Sequence, residues 1–367
     1  MNLTIQIKLL PTIEQEAIIK KTLKNYIQMV NNLVAEFVVL DKLEKKTSAD
    51  ISCAIPSALK AQSIQDARSV FQKYRKEVFK ARKKVSPEGE TKTVKVPVLR
   101  KPVAIWNNQN FSIGEDCLAF PLWINGKSTK TKVKAIIPER QRALLKNKKG
   151  TLRITKINGK FIAQISMDIP CESSHGSSVM GVDLGLKVPA VAVTDMGKTC
   201  FFGNGRENKY KKRMARAKRT ALGKAKKMKA LKKLNNKEQR WMRDKDHKLS
   251  REIVNFAKAN NVSTIQLEDL AGIRQTARTS RKNAKNLHTW SFNRLSQFIQ
   301  YKAELAGIKV VYVNPKYTSQ TCPACGERNH AKDRKYKCPC GFKIHRDILG
   351  AMNIITAPVT GAHGLSA

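Results

Sequence analysis

The 367 residues are enough for two or three domains, each with its own core. The 71 Lys+Arg against 28 Asp+Glu leave a formal charge of +43, and such a chain repels itself unless it lies on a polyanion. A long nucleic acid is therefore the expected partner; the lack of an amphipathic anchor or lipidation signal argues against a membrane surface, and the length against a ribosomal protein.

The opening "MNLTIQIKLLPT" alternates apolar and polar residues as a strand does. Lys8 and Pro11 interrupt it before a signal-peptide core could form, so neither a signal peptide nor a membrane span is expected. Thr12 followed by Gln15 is a capping box. Behind it, Ile19, Leu23, Tyr26, Ile27, Val30, Leu33, Val34 and Phe37 recur at helical spacing. A second helix carries Ile64, Ala67, Phe71, Tyr74 and Val78 and runs into the basic stretch "FKARKKVSPEGETKTVK".

From about Val94 the period changes to two. "RITKINGKFIAQISM" predicts a hairpin turning at Asn158-Gly159, and Asn125-Gly126 predicts another. Residues 94–170 thus read as an antiparallel, barrel-like unit that the N-terminal strand joins, with the helices inserted between. A polar linker, "IPCESSHGSSV", leads on.

"VMGVDLGLKVPAVAVTDMGKTCFFG" gives three strands, with a tight turn at Asp195-Met196-Gly197. A long, basic helix is predicted over 206–261, with a core stripe only at Leu249, Ile253, Val254 and Ala257. The strand "VSTIQLEDL", a basic loop over 274–286, a helix over Trp290–Ala306 ended by Gly307, and the strand "IKVVYVN" follow, which is mixed α/β order. The loop is a candidate lid, the long helix a candidate RNA or duplex contact, and Tyr210, Trp241 and Tyr317 candidate stacking groups.

Two fragments, Gly126-Lys127-Ser128 and Gly197-Lys198-Thr199, imitate the end of a phosphate-binding loop. Such a loop needs an earlier glycine where Pro121 and Ala192 stand, so both read as hairpin turns.

Eight cysteines fall into two groups. Cys53, Cys117, Cys171 and Cys200 are scattered, as reduced core thiols are. Cys322, Cys325, Cys338 and Cys340 form two glycine-followed knuckles, which suit four thiolates around one structural zinc ion. The pattern points to a reducing, intracellular compartment.

Three acids sit on core elements: Asp183 in "GVDLG", Glu268 in "IQLEDL" and Asp347 at the start of "HRDILGAMNI". Carboxylates in apolar elements are unfavourable unless they meet a cation. Gathered together they would hold one or two Mg²⁺ or Mn²⁺ ions for phosphodiester cleavage. Gly350 and Ala351 follow Asp347 at i+3 and i+4, so that helix face can approach a sheet closely. Asp269 reads as a cap or salt-bridge partner, and His345 as a solvated or supporting neighbour.

In this order and spacing, "GVDLGLKVPAVAV", "LEDL", "YTSQTCPACG" and "CGFKIHRDILGAMNI" resemble the TnpB family, RNA-guided nucleases of bacterial insertion sequences similar to the nuclease half of type V CRISPR effectors. The resemblance covers roughly 180–356 and implies a multidomain α/β chain. A β-barrel wedge domain (1–11 and 94–172) would carry an inserted helical recognition domain (12–93). A RuvC/RNase H-like nuclease domain (178–316 and 343–358) would carry a zinc ribbon (317–342), with a tail over 359–367. Asp183, Glu268 and Asp347 would bind two Mg²⁺ (or Mn²⁺) ions and catalyse cleavage; the four cysteines would hold one Zn²⁺. The implied partners are a guide RNA from the transposon end and target double-stranded DNA, in a cytoplasmic, nucleoid-associated ribonucleoprotein that is monomeric, with a dimer as the alternative. A non-cutting RNA-guided regulator, a type V CRISPR effector, a guide-independent RuvC-like nuclease and a transposase remain as alternatives.

Overall fold

The structure, a computed structural model, describes residues 1–83, 93–172, 176–271, 273, 287–331 and 333–360. The candidate lid over 274–286 and most of the tail lie outside them. The chain divides into two compact units, Met1–Ile169 and Pro170–Ala367.

The first unit begins with β1 (Asn2–Leu10), α1 (Ile13–Val39) and α2 (Ser57–Lys83). The Thr12–Gln15 capping box forms, and α1 buries the eight apolar residues of its predicted stripe. Phe37 of α1 meets Phe71 of α2 with ring centroids 5.8 Å apart. Then come β2 (Val103–Trp106), β3 (Ser112–Ile113), β4 (Cys117–Ile124), β5 (Lys127–Ile136), the short α3 (Glu139–Arg142), β6 (Lys148–Ile157) and β7 (Lys160–Asp168).

These strands form one sheet in the order β2-β6-β7-β1-β5-β4-β3, antiparallel throughout. The first strand therefore lies at its centre, although two helices separate it in sequence from the rest. Both expected hairpins turn on two residues at positive φ: Asn125 and Gly126 at 48° and 77°, Asn158 and Gly159 at 53° and 79°. That is the twist two-residue hairpins require.

Two expectations need correction. β2 and β3 are free edges among the described residues, so the ladder does not close into a barrel. The strand pattern also starts at Val103, not Val94. Pro97 and Pro102 lack the N–H a ladder needs, and Val98 is left exposed.

The second unit carries β8 (Ser178–Asp183), β9 (Ala190–Thr194), β10 (Thr199–Phe202), α4 (Gly205–Lys224), α5 (Met228–Leu234), α6 (Lys237–Ala259), β11 (Val262–Glu268), α7 (Phe292–Leu305), β12 (Lys309–Val313), β13 (Lys335–Lys337), β14 (Lys343–His345) and α8 (Arg346–Thr356). Its five-stranded sheet has the order β10-β9-β8-β11-β12. β9 is antiparallel to both neighbours, while β11 runs parallel to β8 and β12. The long helix expected over 206–261 is three helices. Lys226 and Asn235 take positive φ, 51° and 45°, and break it at both joints.

Strand alternation decides which side of this sheet is chemical. Met180 and Val182 of β8 and Ile265 and Leu267 of β11 join one core with Leu249, Ile253 and Val254 of α6 and Leu295 and Ile299 of α7. Gly181, Asp183 and Glu268 consequently face the other way. On that side Gly181 meets α8: a Cβ there would lie 2.1 Å from the Ala351 carbonyl oxygen. Only a glycine allows so close an approach.

Candidate functional site

Asp183 and Glu268 each end a strand. Leu267 pairs with Val182 in the parallel ladder, so the two acids emerge side by side at the same end of the sheet. Asp347 lies in the first turn of α8, only 8% exposed. Its neighbour one turn on, Gly350, leaves room for the Asp183 carboxylate; a Cβ there would sit 3.2 Å from Oδ2. Three elements thus bring three acids to one patch.

Crowding shows in their protonation. Burial pushes Asp183 well above the usual carboxylate range, and the charges of Glu268 and Asp347 push it further. Burial also raises Glu268, against a hydrogen bond donated by the Thr318 hydroxyl. Like charges in a water-poor place are the signature of a site built for a cation or a proton. The carboxylate oxygens do not close to within 4.8 Å of one another as a set. Asp347 instead accepts both oxygens' hydrogen bonds from the Arg334 guanidinium.

The cysteines do close. The ligand atoms of Cys322, Cys325, Cys338 and Cys340 all lie within 4.8 Å of one another, the one such set among the described residues. Cys322 Sγ is 3.7 Å from Cys340 Sγ, and Cys325 Sγ is 3.5 Å from Cys338 Sγ. Zinc–sulfur bonds of about 2.3 Å at tetrahedral angles require sulfurs about 3.8 Å apart, so the donor set fits that ion. Burial raises the Cys322 thiol, but the backbone N–H groups of Cys325 and Ala324 together with the neighbouring thiols bring it down to about 7. The same burial and crowding push Cys325 up to about 12 and Cys338 up as well, so without a cation the four thiolates cannot all form readily. The scattered cysteines are not core thiols as expected: Cys171 is exposed and Cys53, Cys117 and Cys200 are half-buried.

The knuckles and the acids are mechanically joined. Leu349 of α8 packs with Cys322, Tyr336 and Cys338 in one small core. Asn353 of α8 donates to the carbonyls of Thr318 and Thr321, 2.7 Å each, at the start of the cysteine segment. Thr318 holds Glu268 and Arg334 holds Asp347, so this segment touches two of the three acids. Sequence reading passed over Arg334, Thr318 and Asn353. Only their places, beside the knuckles and on the helix after Asp347, marked them.

His345 accepts from the Asp347 N–H through Nδ1 and caps α8, while its ring meets Phe201 edge-on. Asp269 caps a turn by accepting from the Ala271 N–H. Of the candidate stacking groups, Tyr210 and Tyr317 are exposed and Trp241 half-buried. Each has a cation over its ring, Arg328 lying 3.9 Å from the Tyr317 centroid. No helix among the described residues is long and apolar enough to cross a membrane.

Comparison with known proteins covers the same ground. The family model described as a probable transposase, OrfB_IS605, matches 164–274, and that of the Cas12f1-like TNB domain matches 292–354. The CRISPR-associated endodeoxyribonuclease Cas12f1 of Sulfoacidibacillus thermotolerans is 31% identical over 48% of this chain and 45% of its own. The TnpB-like protein MJ0751 of Methanocaldococcus jannaschii is 37% identical over 40% of this chain and 53% of its own. The chain spans about half the length of these curated relatives. In fold it is similar to a Cas12f1 solved by cryo-EM with sgRNA and target DNA, at TM-score 0.67 and 16% identity over 94% of this chain and 84% of that one. In these two stretches the chain is similar to TnpB-like and Cas12f1 proteins, and its fold is that of the Cas12f1 chain.

Proposed function

We propose that this chain is an RNA-guided DNA endonuclease with one RuvC-like, RNase H-like centre at Asp183, Glu268 and Asp347. The observation that carries the reading is the convergence of three acids, Asp347 buried and Asp183 and Glu268 half-buried, on one side of the sheet, the latter two held above their ordinary protonation range. Hard carboxylate oxygens suit Mg²⁺ or Mn²⁺. Divalent ions bound there would activate water and stabilise the leaving oxygen of a phosphodiester. The chain's own part is to hold the acids: Gly350 leaves space for Asp183, Thr318 orients Glu268, and Arg334 neutralises Asp347. The four cysteines, read as a structural zinc ribbon, fix the start of α8.

RNA guidance rests on the partial similarity to TnpB-like proteins, on relatives named as CRISPR-associated endodeoxyribonucleases, and on the fold shared with a Cas12f1 solved with sgRNA and target DNA. The charge of +43 supports a long nucleic-acid partner. The first unit then reads as a wedge and a helical recognition domain for guide and target, by analogy with other guided effectors.

The test is to express the chain with its native flanking DNA and sequence the RNA that copurifies. DNA matching that RNA should be cut in Mg²⁺, whereas Asp183→Ala should bind it and leave it whole. Undiminished cutting by Asp183→Ala would remove the centre from these acids. No defined RNA on the purified protein would remove the guide.

A further inference from the structure

Between α4, α6 and the segment leading into α7 lies a cleft of about 410 Å³, lined by cations rather than by the acids of the candidate centre. Its charged groups are Lys212, Arg216 and Arg219 from α4, Arg294 from α7 and Glu238 from α6. Two of these arginines are held in place. Arg219 pairs with Glu238 at 3.1 Å, and Arg294 pairs with the buried Asp246 at 2.6 Å.

The other two cations form no ion pair within 4.0 Å with a carboxylate of the described residues. Arg216 is exposed at the mouth. Lys212 donates to the Thr289 carbonyl at 2.5 Å, and burial pushes its amine below the ordinary lysine value. Glu238 and Asp246 act on Lys212 from a distance, but desolvation outweighs them, and an incoming anion in direct contact would relieve that cost. The rest of the lining is neither acidic nor greasy. Thr220 and Gln239 offer hydrogen-bonding groups, Thr289 and Ser291 complete the wall, and the buried Met242 gives one apolar surface.

We infer that this cleft binds one nucleotide of single-stranded RNA, with its phosphate on Lys212 and Arg216 and its base against Met242. The volume suits one nucleotide and is too small for a duplex, whose bases are paired and hidden. Two surplus cations match one phosphodiester and its neighbour. Hydroxyl and amide groups around the sugar position favour RNA, because the 2′-OH both donates and accepts. The inference deepens the guide-RNA reading and depends on it for the source of the strand.

The test uses the purified full-length chain and a fluorescent hexamer of uridines, without target DNA or divalent ions. Lys212→Gln with Arg216→Gln should weaken binding at least tenfold and reduce the salt slope by about 1.4, near 0.7 for each lost phosphate contact. Lys229→Gln with Lys232→Gln, the same charge change on exposed positions of α5, should weaken it about threefold or less. Arg216→Gln alone, at an exposed position, gives the same contrast if the double variant folds poorly. A 4-thiouridine in the oligomer should crosslink to peptides containing Met242 or Thr289. Equal losses from the two pairs, or crosslinks confined to other regions, would overturn the site. A deoxyuridine hexamer bound equally well and equally sensitive to the cleft pair would overturn the assignment to RNA. Because no cleavage is read, an inactive centre leaves this result interpretable, and a failed cleft leaves cleavage at Asp183 standing.

Discussion

Gly350 faces Asp183 so closely that a β-carbon on it would lie 3.2 Å from one carboxylate oxygen and 3.3 Å from the carboxyl carbon. The glycine therefore sets where the acid stands. Gly350→Ala should gain about 1 kcal/mol of helix propensity while displacing the carboxylate by a few tenths of an ångström. Stability should stay within about 1 kcal/mol of the parent, while the rate of DNA cleavage falls about tenfold or more. Gly181→Ala should behave differently, since its β-carbon would meet the Ala351 carbonyl at 2.1 Å and backbone cannot step aside. That variant should lose about 1–3 kcal/mol and activity together. Cleavage rates and melting curves of the two purified proteins check the contrast.

Arg334 supplies the countercharge to Asp347. Arg334→Gln removes it and leaves a nearly buried carboxylate without its partner, which should cost about 1–3 kcal/mol in chelated buffer. Arg334→Lys, with a point charge and no fork, should recover part of the loss. Since Mg²⁺ would take over the neutralising task, saturating Mg²⁺ should raise the melting temperature of Arg334→Gln more than that of the parent. Equal responses would place the ion away from Asp347.

The strands and knuckles of the second unit were legible because their signals are short-range. Alternation in "VMGVDLG" and "IQLEDL" assigns the acids to strand ends, and paired knuckles announce a metal cluster whatever the fold around them. The side of the sheet that Asp183 and Glu268 share also follows from alternation, once the core side is known. What sequence could not give was tertiary. Arg334 pairs with an acid 13 residues on, and Thr318 with one 50 residues back. A charged or hydroxyl residue in a polar segment carries no periodic mark of such a partner. The break of the expected long helix was hidden for a related reason: Lys and Asn are ordinary residues in a solvated helix, and only their positive φ reveals the joints. The open first-unit sheet escaped because alternation fixes faces, not whether edges meet.

The cysteine cluster should hold one zinc ion per chain, measured by elemental analysis, and Cys338→Ser should lose it. Leu349 packs on Cys322 and Cys338, so losing the ion should loosen α8 and reduce folding and cleavage together. Asn353→Ala separates the two effects. It breaks two hydrogen bonds between α8 and the segment holding Thr318, worth about 1–3 kcal/mol, yet touches no thiolate. Zinc content should stay near one while cleavage falls. Parallel loss of zinc in Asn353→Ala would show that α8 stabilises the cluster rather than the reverse.

The raised protonation of Asp183 and Glu268 makes a prediction with a definite sign. Their folded-state values lie above the ordinary 3.8 and 4.5, so between the two states' values the folded chain holds more protons than the unfolded one. Stability from these groups is then fully present below the ordinary values and is lost as pH rises through the raised ones. In chelated buffer at neutral pH, Asp183→Asn removes the most crowded of these charges and should stabilise the chain, on the order of 1–2 kcal/mol. The gain should shrink as pH falls and vanish below about 4, where the parent's carboxyl is protonated in both states. Divalent ions should reverse the order, because the parent can bind them and the variant has lost a ligand. Melting curves of both proteins from acid to neutral pH, with chelator and with Mg²⁺, read all of this at once. A variant less stable than its parent at neutral pH without metal would mean that Asp183 is satisfied within the fold, and that the three acids are not a site held under charge for a cation.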